Sequence, residues 1–414
     1  MQFSRYNLSD IPGFNSMIHD DKNESNILKL NKIECRTSNN ARYSVIRYDK
    51  DILAYDLIPT YGLCRSIIVN SHNNIVSFAP PKSLPSDRFI QSYSETSLGI
   101  VAEEFVEGTM INVFWDSSIG LTGGWEIATR NTPGATSSFF KGVSKKTFRD
   151  MFLEAAEKNN LVLHMLNPLY CYSFVLQHPE NRIVVPFKKP QLYLVAVYII
   201  EHIDNNIFVN SFEPRTLLKN IFEVTNVTIQ FPEIYTFTTY SDLIEKYASM
   251  NTSYNIVGVV LHNRLTGERT KIRNPVYEQV RNLRGNQPKL QYQYLTLRKE
   301  GKVSEFLKFY PENKKQFSGF RDQVHLFTNT LFDNYKACYI KKEKPLKEYS
   351  EQYRTHMFHI HQKFLSELRA ENQFVTSTIV QKYVNELHTS LLMYCLNFQM
   401  RKRKVDTITA DSNL

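Results

Sequence analysis

Lys271 and Arg273 stand two residues apart in the segment ERTKIR (268–273). On a β-strand that spacing puts both cations on one face, where charge-assisted hydrogen bonds can hold phosphate oxygens. The same spacing also suits an exposed polar edge, so the pair alone leaves two readings open. A second concentration of cations lies further on. Lys341, Lys342, Lys344 and Lys347 cluster, Arg401, Lys402, Arg403 and Lys404 form a basic run, and Tyr292, Tyr294, Phe306, Phe309 and Tyr310 interleave with Arg298, Lys299, Lys302 and Lys308. Rings among cations can stack bases while the cations hold phosphates, which makes this segment a candidate nucleic-acid-binding region. For any individual ring, packing in a helical core is the stronger expectation. His356 and His359 would share a helix face near His361, but no third ligand stands at a suitable spacing, so a basic helix surface is expected and no metal site is assigned. The chain has no His-Glu-x-x-His, no Gly-x-Ser-x-Gly, no Walker loop and no Gly-x-Gly-x-x-Gly.

Composition narrows the setting. The 414 residues carry a net charge of +9, with 25 Lys+Arg against 14 Asp+Glu in residues 271–414 and 25 against 27 before them. All the excess positive charge sits in the last third, which favours a polyanionic partner. Five widely spaced cysteines include no Cys-x-x-Cys pair and fit a reducing compartment. The N-terminal MQFSRYNLSDIPGF lacks the basic start and apolar core of a secretory signal, and the longest apolar run, Leu192 to Ile200, is too short to span a bilayer. A soluble intracellular protein without a membrane partner is the expectation.

Between Tyr43 and Ile272 short strands alternate with turn residues. Residues 64–70 and 75–80 predict a hairpin around SHNN (71–74), and residues 106–116 and 123–131 predict another. YCYSFVLQH (170–178), QLYLVAVYII (191–200), NIVGVVLH (255–262) and ERTKIR read as further strands, the middle two apolar enough to be covered on both faces. Phe148, Met151, Phe152 and Ala155 fall at i, i+3, i+4 and i+7, predicting a helix packed on the sheet. The Asn/Asp/Ser-rich stretch 15–27 reads as a surface loop.

Beyond about residue 290 the periodicity turns helical, with one apolar stripe through Phe320, Val324, Phe327, Leu331, Tyr335 and Cys338 and another through Val380, Val384, Leu387, Leu391 and Tyr394. The fold expected is α+β, an antiparallel sheet core followed by an all-helical C-terminal domain. Its divisions are an extension (1–42), the core (43–290), the helical domain (291–400) and a basic, polar tail (401–414).

Four segments in order carry a family resemblance: IVSFAPPKSL (75–84), EEFVEGTMINVFWD (103–116), YSFVLQHPENRIVVP (172–186), and VGVVLHN followed by GERTKIRNPVY (257–277). Together they resemble the covalent nucleotidyltransferase superfamily, most closely the phage-type ATP-dependent RNA ligases and the ligase-like proteins of large DNA viruses. The resemblance covers about residues 40–280, and HPENRIVVP (178–186) is its most specific piece. It implies a nucleotidyltransferase-like core, ATP and magnesium as cofactors, RNA as partner, and residence in a host cytoplasm or virion.

Family members carry a Lys-x-Asp/Glu-Gly motif whose lysine attacks the α-phosphate of ATP. The aligned segment here is Phe105-Val106-Glu107-Gly108, and an aromatic ring has no lone pair with which to form a phosphoramidate. Val175 and Val257 stand where two further motifs supply carboxylates, which removes hard oxygen ligands that magnesium prefers. By resemblance, Arg65, Lys82, Glu107, Gly108, Lys271 and Arg273 remain as nucleotide-binding residues. The leading expectation is a catalytically inactive, RNA- or nucleotide-binding member of the ligase fold. One alternative is an active enzyme with Lys271 as a relocated nucleophile. The other is a viral structural or assembly protein whose helical domain binds a protein partner.

Overall fold

The computed structural model describes residues 2–19, 29–38, 40–138 and 146–401. Its chain divides into two compact units, Met1–Arg281 and Asn282–Leu414.

The first unit is an antiparallel α+β assembly of fourteen strands among the described residues. They are β1 (Gln2–Asn7), β2 (Leu30–Arg36), β3 (Arg42–Tyr48), β4 (Ile67–Asn70), β5 (Ile75–Phe78), β6 (Ile100–Glu104), β7 (Thr109–Asp116), β8 (Gly124–Thr129), β9 (Tyr170–Gln177), β10 (Gln191–Ile203), β11 (Asn206–Phe212), β12 (Ile234–Tyr235), β13 (Gly258–Asn263) and β14 (Arg269–Arg273). They form three sheets: β1-β11-β10-β9-β7-β8, β12-β6-β13-β14 and β2-β3-β4-β5.

Both expected hairpins form, β4 with β5 and β7 with β8. The first turn is pinned by Asn70, whose side-chain oxygen accepts the backbone N–H groups of His72 and Asn74, each at 3.0 Å. The sequence sets residues 1–42 apart, yet β1 lies in the six-stranded sheet beside β11, some two hundred residues away in the chain. That pairing is driven by the apolar surface of the sheet rather than by any local pattern, because Leu8, Ile11 and Phe14 close its core.

Helices cover the sheets. α1 (Phe14–His19) buries Phe14, Met17 and Ile18. This corrects the expected surface loop for residues 15–19, since three apolar side chains at helical spacing outweigh the polar composition around them; residues 20–28 lie outside the described residues. α2 (Ser86–Ser92) and α5 (Tyr240–Tyr247) pack on β6 and β13 around Phe89, Tyr240 and Leu243. α3 (Phe148–Lys158) starts in a capping box between Thr147 and Asp150 and buries Phe148, Met151, Phe152, Ala155 and Ala156 against the six-stranded sheet, as its spacing implies. α4 (Pro214–Val224) adds Leu218 and Phe222 to the same layer. α6 (Pro275–Arg284) contains the point at which the two units divide.

The second unit is helical throughout its described residues: α7 (Leu290–Lys299), α8 (Val303–Phe309), α9 (Lys314–Tyr335), α10 (Glu351–Lys363), α11 (Ser377–Glu386) and α12 (Thr389–Leu396), with single π-turns at Lys336–Ile340 and Phe364–Leu368. Phe317, Val324, Phe327, Leu331 and Tyr335 are the buried stripe of α9. The second expected stripe breaks. Val380 and Val384 are buried, but Leu391 and Tyr394 are each 44% exposed and Leu392 and Cys395 are buried instead. α11 ends at Glu386, Leu387 is extended, and His388 caps a new helix, so the apolar face restarts one residue out of phase.

Candidate functional site

The register of β6, β13 and β14 assembles the site. Glu103 pairs with Val260 and Val260 with Lys271; His262 pairs with Arg269, and Gly258 with Arg273. Strand alternation therefore places Glu103, His262, Arg269, Lys271 and Arg273 on one face. Ala102, Val259 and Leu261 occupy the other, buried in the core that α2 and α5 cover. Phe105 continues the line just beyond β6, its N–H donating to the Gly258 carbonyl at 3.4 Å. The Lys271 amino nitrogen lies 4.7 Å from the centroid of the Phe105 ring, and the Arg273 guanidinium carbon 5.7 Å.

Further cations face this line from the loops around β4 and β5. Arg65 precedes β4 and donates to the Pro80 carbonyl at 3.3 Å. Arg269 donates to the Pro80 carbonyl at 3.1 Å and to the Pro81 carbonyl at 2.6 and 3.0 Å, strapping the Pro80–Pro81–Lys82 segment to β14. The Lys82 amine donates to the Ser83 carbonyl at 3.3 Å.

Crowding these groups moves their protonation. Burial, reinforced by Arg269, Arg65, Arg273 and Lys82, pushes the Lys271 amine down to about 6, so at neutral pH most of it carries a lone pair rather than a proton. Burial and then Arg269 and Arg130 push Arg65 down to about 10. Lys82 is lowered by burial, Arg65 and Arg269. His262, buried beside Arg269, Arg264 and Lys271, is pushed down to about 3 and is neutral at pH 7. Its Nε2 lies 3.4 Å from the Glu103 carboxylate, which also accepts from Arg264 at 2.9 Å. Arg273 pairs with Glu278 at 3.1 Å, whereas among the described residues Arg65, Lys82 and Lys271 have no carboxylate at ion-pair distance, a deficit that an entering phosphate would fill.

Two glycines of the site have steric reasons. Gly258 has φ +136°, and a Cβ there would sit 2.1 Å from the Ile272 carbonyl oxygen; Gly108 has φ +147°, with a Cβ 2.4 Å from the Leu176 oxygen. Glu107 turns to protein backbone. One carboxylate oxygen accepts the Val184 N–H at 2.6 Å and the other the Val185 N–H at 3.0 Å. Burial still outweighs those bonds and pushes its carboxyl up to about 7. Phe105, Glu107, Gln177, Val185, Tyr235 and Val257 line a small open cavity. Val175 is buried on β9 between Met110 and Tyr193. Val175 and Val257 carry no oxygen donor for magnesium or manganese, and the Glu107 carboxylate is already engaged by the Val184 and Val185 N–H groups.

The HPENR segment is a structural knot. His178 Nε2 lies 3.3 Å from Glu154, Lys146 bridges Glu154 (2.6 Å) and Glu180 (2.9 Å), and Asn181 donates to the Thr109 hydroxyl at 2.8 Å.

In the helical unit Lys341, Lys342, Lys344 and Lys347 are exposed, and Lys344 lies 4.4 Å over the Tyr349 ring. Arg401 lies 5.0 Å over Tyr394; Lys402, Arg403 and Lys404 fall outside the described residues. Tyr294, Phe306 and Tyr310 are core residues packed with Phe317 rather than rings offered to bases. His356 is buried between the Tyr383 hydroxyl (2.8 Å) and Cys395 Sγ (3.1 Å), His359 meets Tyr383 at 3.4 Å, and His361 stacks on Tyr339. Among the described residues no group of three or more His, Cys, Asp or Glu is placed to hold a metal ion.

Sequence reasoning singled out Arg65, Lys82, Lys271 and Arg273, which the fold brings together. It passed over Arg269, His262 and Glu103. The alternation Arg269-x-Lys271-x-Arg273 was the available signal for the first; the other two needed the strand register.

No family model matches the chain. Its sequence is similar to a curated RNA ligase of Rhodothermus phage RM378, 26% identical over 199 residues that make up 42% of this chain and 44% of that protein. The chain thus matches less than half of that relative's length. Among solved structures, the Naegleria gruberi RNA ligase with PPi is 14% identical with a TM-score of 0.34, over 50% of this chain and 64% of the other. A variant of that ligase with ATP and Mn has a TM-score of 0.32 at 13% identity, over 44% and 51%. No described helix is long and apolar enough to cross a membrane.

Proposed function

We propose that this chain is an RNA ligase-like protein that binds RNA or nucleotide phosphates in the cleft between β14 and the Pro80–Lys82 segment, and that it performs no lysine adenylylation at the motif position. The observation that supports the reading is Phe105, the residue that the motif resemblance aligns with the family's lysine, held beside Gly258 with Lys271 and Arg273 over its ring. Arg65, Lys82, Lys271 and Arg273 then act as phosphate ligands, with Arg269 fixing the segment that carries Lys82. Incubating the folded protein with α-labelled ATP or GTP and magnesium or manganese, then resolving it on a denaturing gel, should give no covalent adduct. RNA binding should be salt-sensitive and indifferent to magnesium. An adduct would overturn the reading.

A second reading is favoured by one observation, the low pKa of Lys271. An uncharged amine beside a phosphate site has the lone pair a nucleophile requires. In that reading its nitrogen forms the bond to the α-phosphorus, the bond to the bridging oxygen breaks, and pyrophosphate leaves. It requires an adduct that Lys271→Ala abolishes while RNA binding persists.

A further inference from the structure

The hairpin β2–β3 carries a feature that the cleft leaves unexplained. Arg36 and Arg42 are direct cross-strand partners, and both are exposed. Residues so paired have Cβ atoms about 4.5–5.5 Å apart, and like charges placed there are destabilising. Among the described residues neither guanidinium has a carboxylate within ion-pair distance. The two arginines line an open groove whose far wall is the turn after β4, with Ser71 and Asn73 exposed on it. That turn is rigid, since Asn70 holds it through two backbone N–H groups and itself donates to the buried Asp116 at 2.9 Å. One acid, Glu34, also lines the groove, a rung away opposite Ser44.

We propose that this groove is a second phosphate-binding surface, distinct from the Phe105 cleft, and that its occupant is the sugar–phosphate backbone of single-stranded RNA. A phosphodiester between the paired guanidiniums removes their repulsion and accepts charge-assisted bonds from both, while Ser71 and Asn73 offer neutral donors along its path. The cavity that contains Phe105 shares no lining residue with the groove. The two sites are nonetheless joined by one strand, because Arg65 precedes β4 at the cleft and Asn70 ends it at the groove. Five residues of extended chain span at most about 18 Å, so a polymer can touch both sites where a mononucleotide touches one. The choice of RNA over a free phosphate rests on the RNA ligase-like reading above.

The test uses the full chain, a labelled single-stranded RNA followed by fluorescence anisotropy across a salt series, and ATP and inorganic phosphate followed by calorimetry. Arg36→Gln/Arg42→Gln should weaken RNA binding about tenfold and flatten the slope of log affinity against log salt by about 0.7, the value for one lost phosphate contact, with ATP binding unchanged. Arg42→Lys in the wild-type background should keep most of the slope. The double variant should melt no lower than wild type, since a repulsion is removed, which separates lost binding from lost folding. Unchanged RNA affinity and slope in the double variant overturn the proposal, as does a wild-type protein that binds no RNA. Phosphate or ATP binding lost in the double variant with RNA binding intact makes the occupant a free anion and overturns the RNA assignment. RNA binding that needs the arginines but survives Lys271→Met/Arg273→Gln undiminished, with no ATP bound, sinks the cleft reading and leaves the groove standing.

Discussion

The cations of the β-rich unit and those of the helical unit stand in opposite circumstances. In the cleft, Arg65, Lys82, Arg269 and Lys271 are drawn out of water by Pro80, Pro81 and Phe105, and each has a lowered pKa. In the helical unit, Lys341, Lys342, Lys344 and Lys347 stand in solvent, and Lys341 has only the nearby Glu343 at 3.6 Å. The difference teaches what each group can select. Desolvated, mutually repelling cations at fixed positions favour an anion of one size and place, whereas solvated lysines attract any polyanion in proportion to its charge. Rigidity differs in the same sense: close backbone approaches frame the cleft, and the helical surface has none at Gly319, where a Cβ would meet nothing within 4 Å.

Substitutions in both units can break or sharpen that contrast. The largest effect belongs to Gly258→Ala, which forces a Cβ onto the Ile272 carbonyl at a positive φ. It should cost about 3 kcal/mol or more, enough to leave little folded protein in a denaturant titration. If stability survives, the strands of the cleft are not rigidly framed. Next is Glu107→Ala, which strips the Val184 and Val185 N–H groups of their acceptor and should cost about 1–3 kcal/mol by the same assay.

The pH dependence comes third. A lysine whose folded pKa lies near 6 against an unfolded value of about 10.4 binds fewer protons when folded throughout that window, so its contribution makes stability rise with pH from about 6 to about 10.4. Lys271→Met should flatten that rise in melting curves collected across the window, and replacing Lys341, Lys342, Lys344 and Lys347 together by Gln should not. Glu107 acts in the opposite sense: its raised pKa makes stability fall from about pH 4.3, its unfolded value, to about 7. Glu107→Gln should remove that fall. Pyrophosphate binding at pH 7 should take up protons as Lys271 recharges, visible as a dependence of calorimetric heat on the buffer's ionisation enthalpy; no such dependence would show that the amine is already charged. The smallest effect is Gly319→Ala, which should stabilise by about 0.5–1 kcal/mol because a helical residue with room for a methyl group loses less entropy on folding.

Much of the local structure was legible because it obeys short periods. The spacing of Phe148, Met151, Phe152 and Ala155 specified α3, and the turn residues of SHNN specified the β4–β5 hairpin. The same logic failed where a period was interrupted or a composition misled. Nothing in Leu387, Leu391 and Tyr394 announces that the chain straightens at Leu387 and rephases, and the polar letters of 15–19 hide the helix that Phe14, Met17 and Ile18 drive. Of the candidate site, Lys271 and Arg273 were readable from their two-residue spacing. The Val184 and Val185 N–H groups that Glu107 accepts were not readable, because only the fold brings them to its carboxylate.

By itself the sequence determined α3, the β4–β5 and β7–β8 hairpins, and that a ring rather than an amine stands at position 105, because these depend on residue type and near neighbours. Tertiary structure alone decided that β1 joins a strand about two hundred residues away, that Arg269 straps Pro80 and Pro81, and that Lys271 loses its charge near neutrality. Protonation and partner choice follow from water excluded by distant segments, and that quantity exists only once the chain has folded.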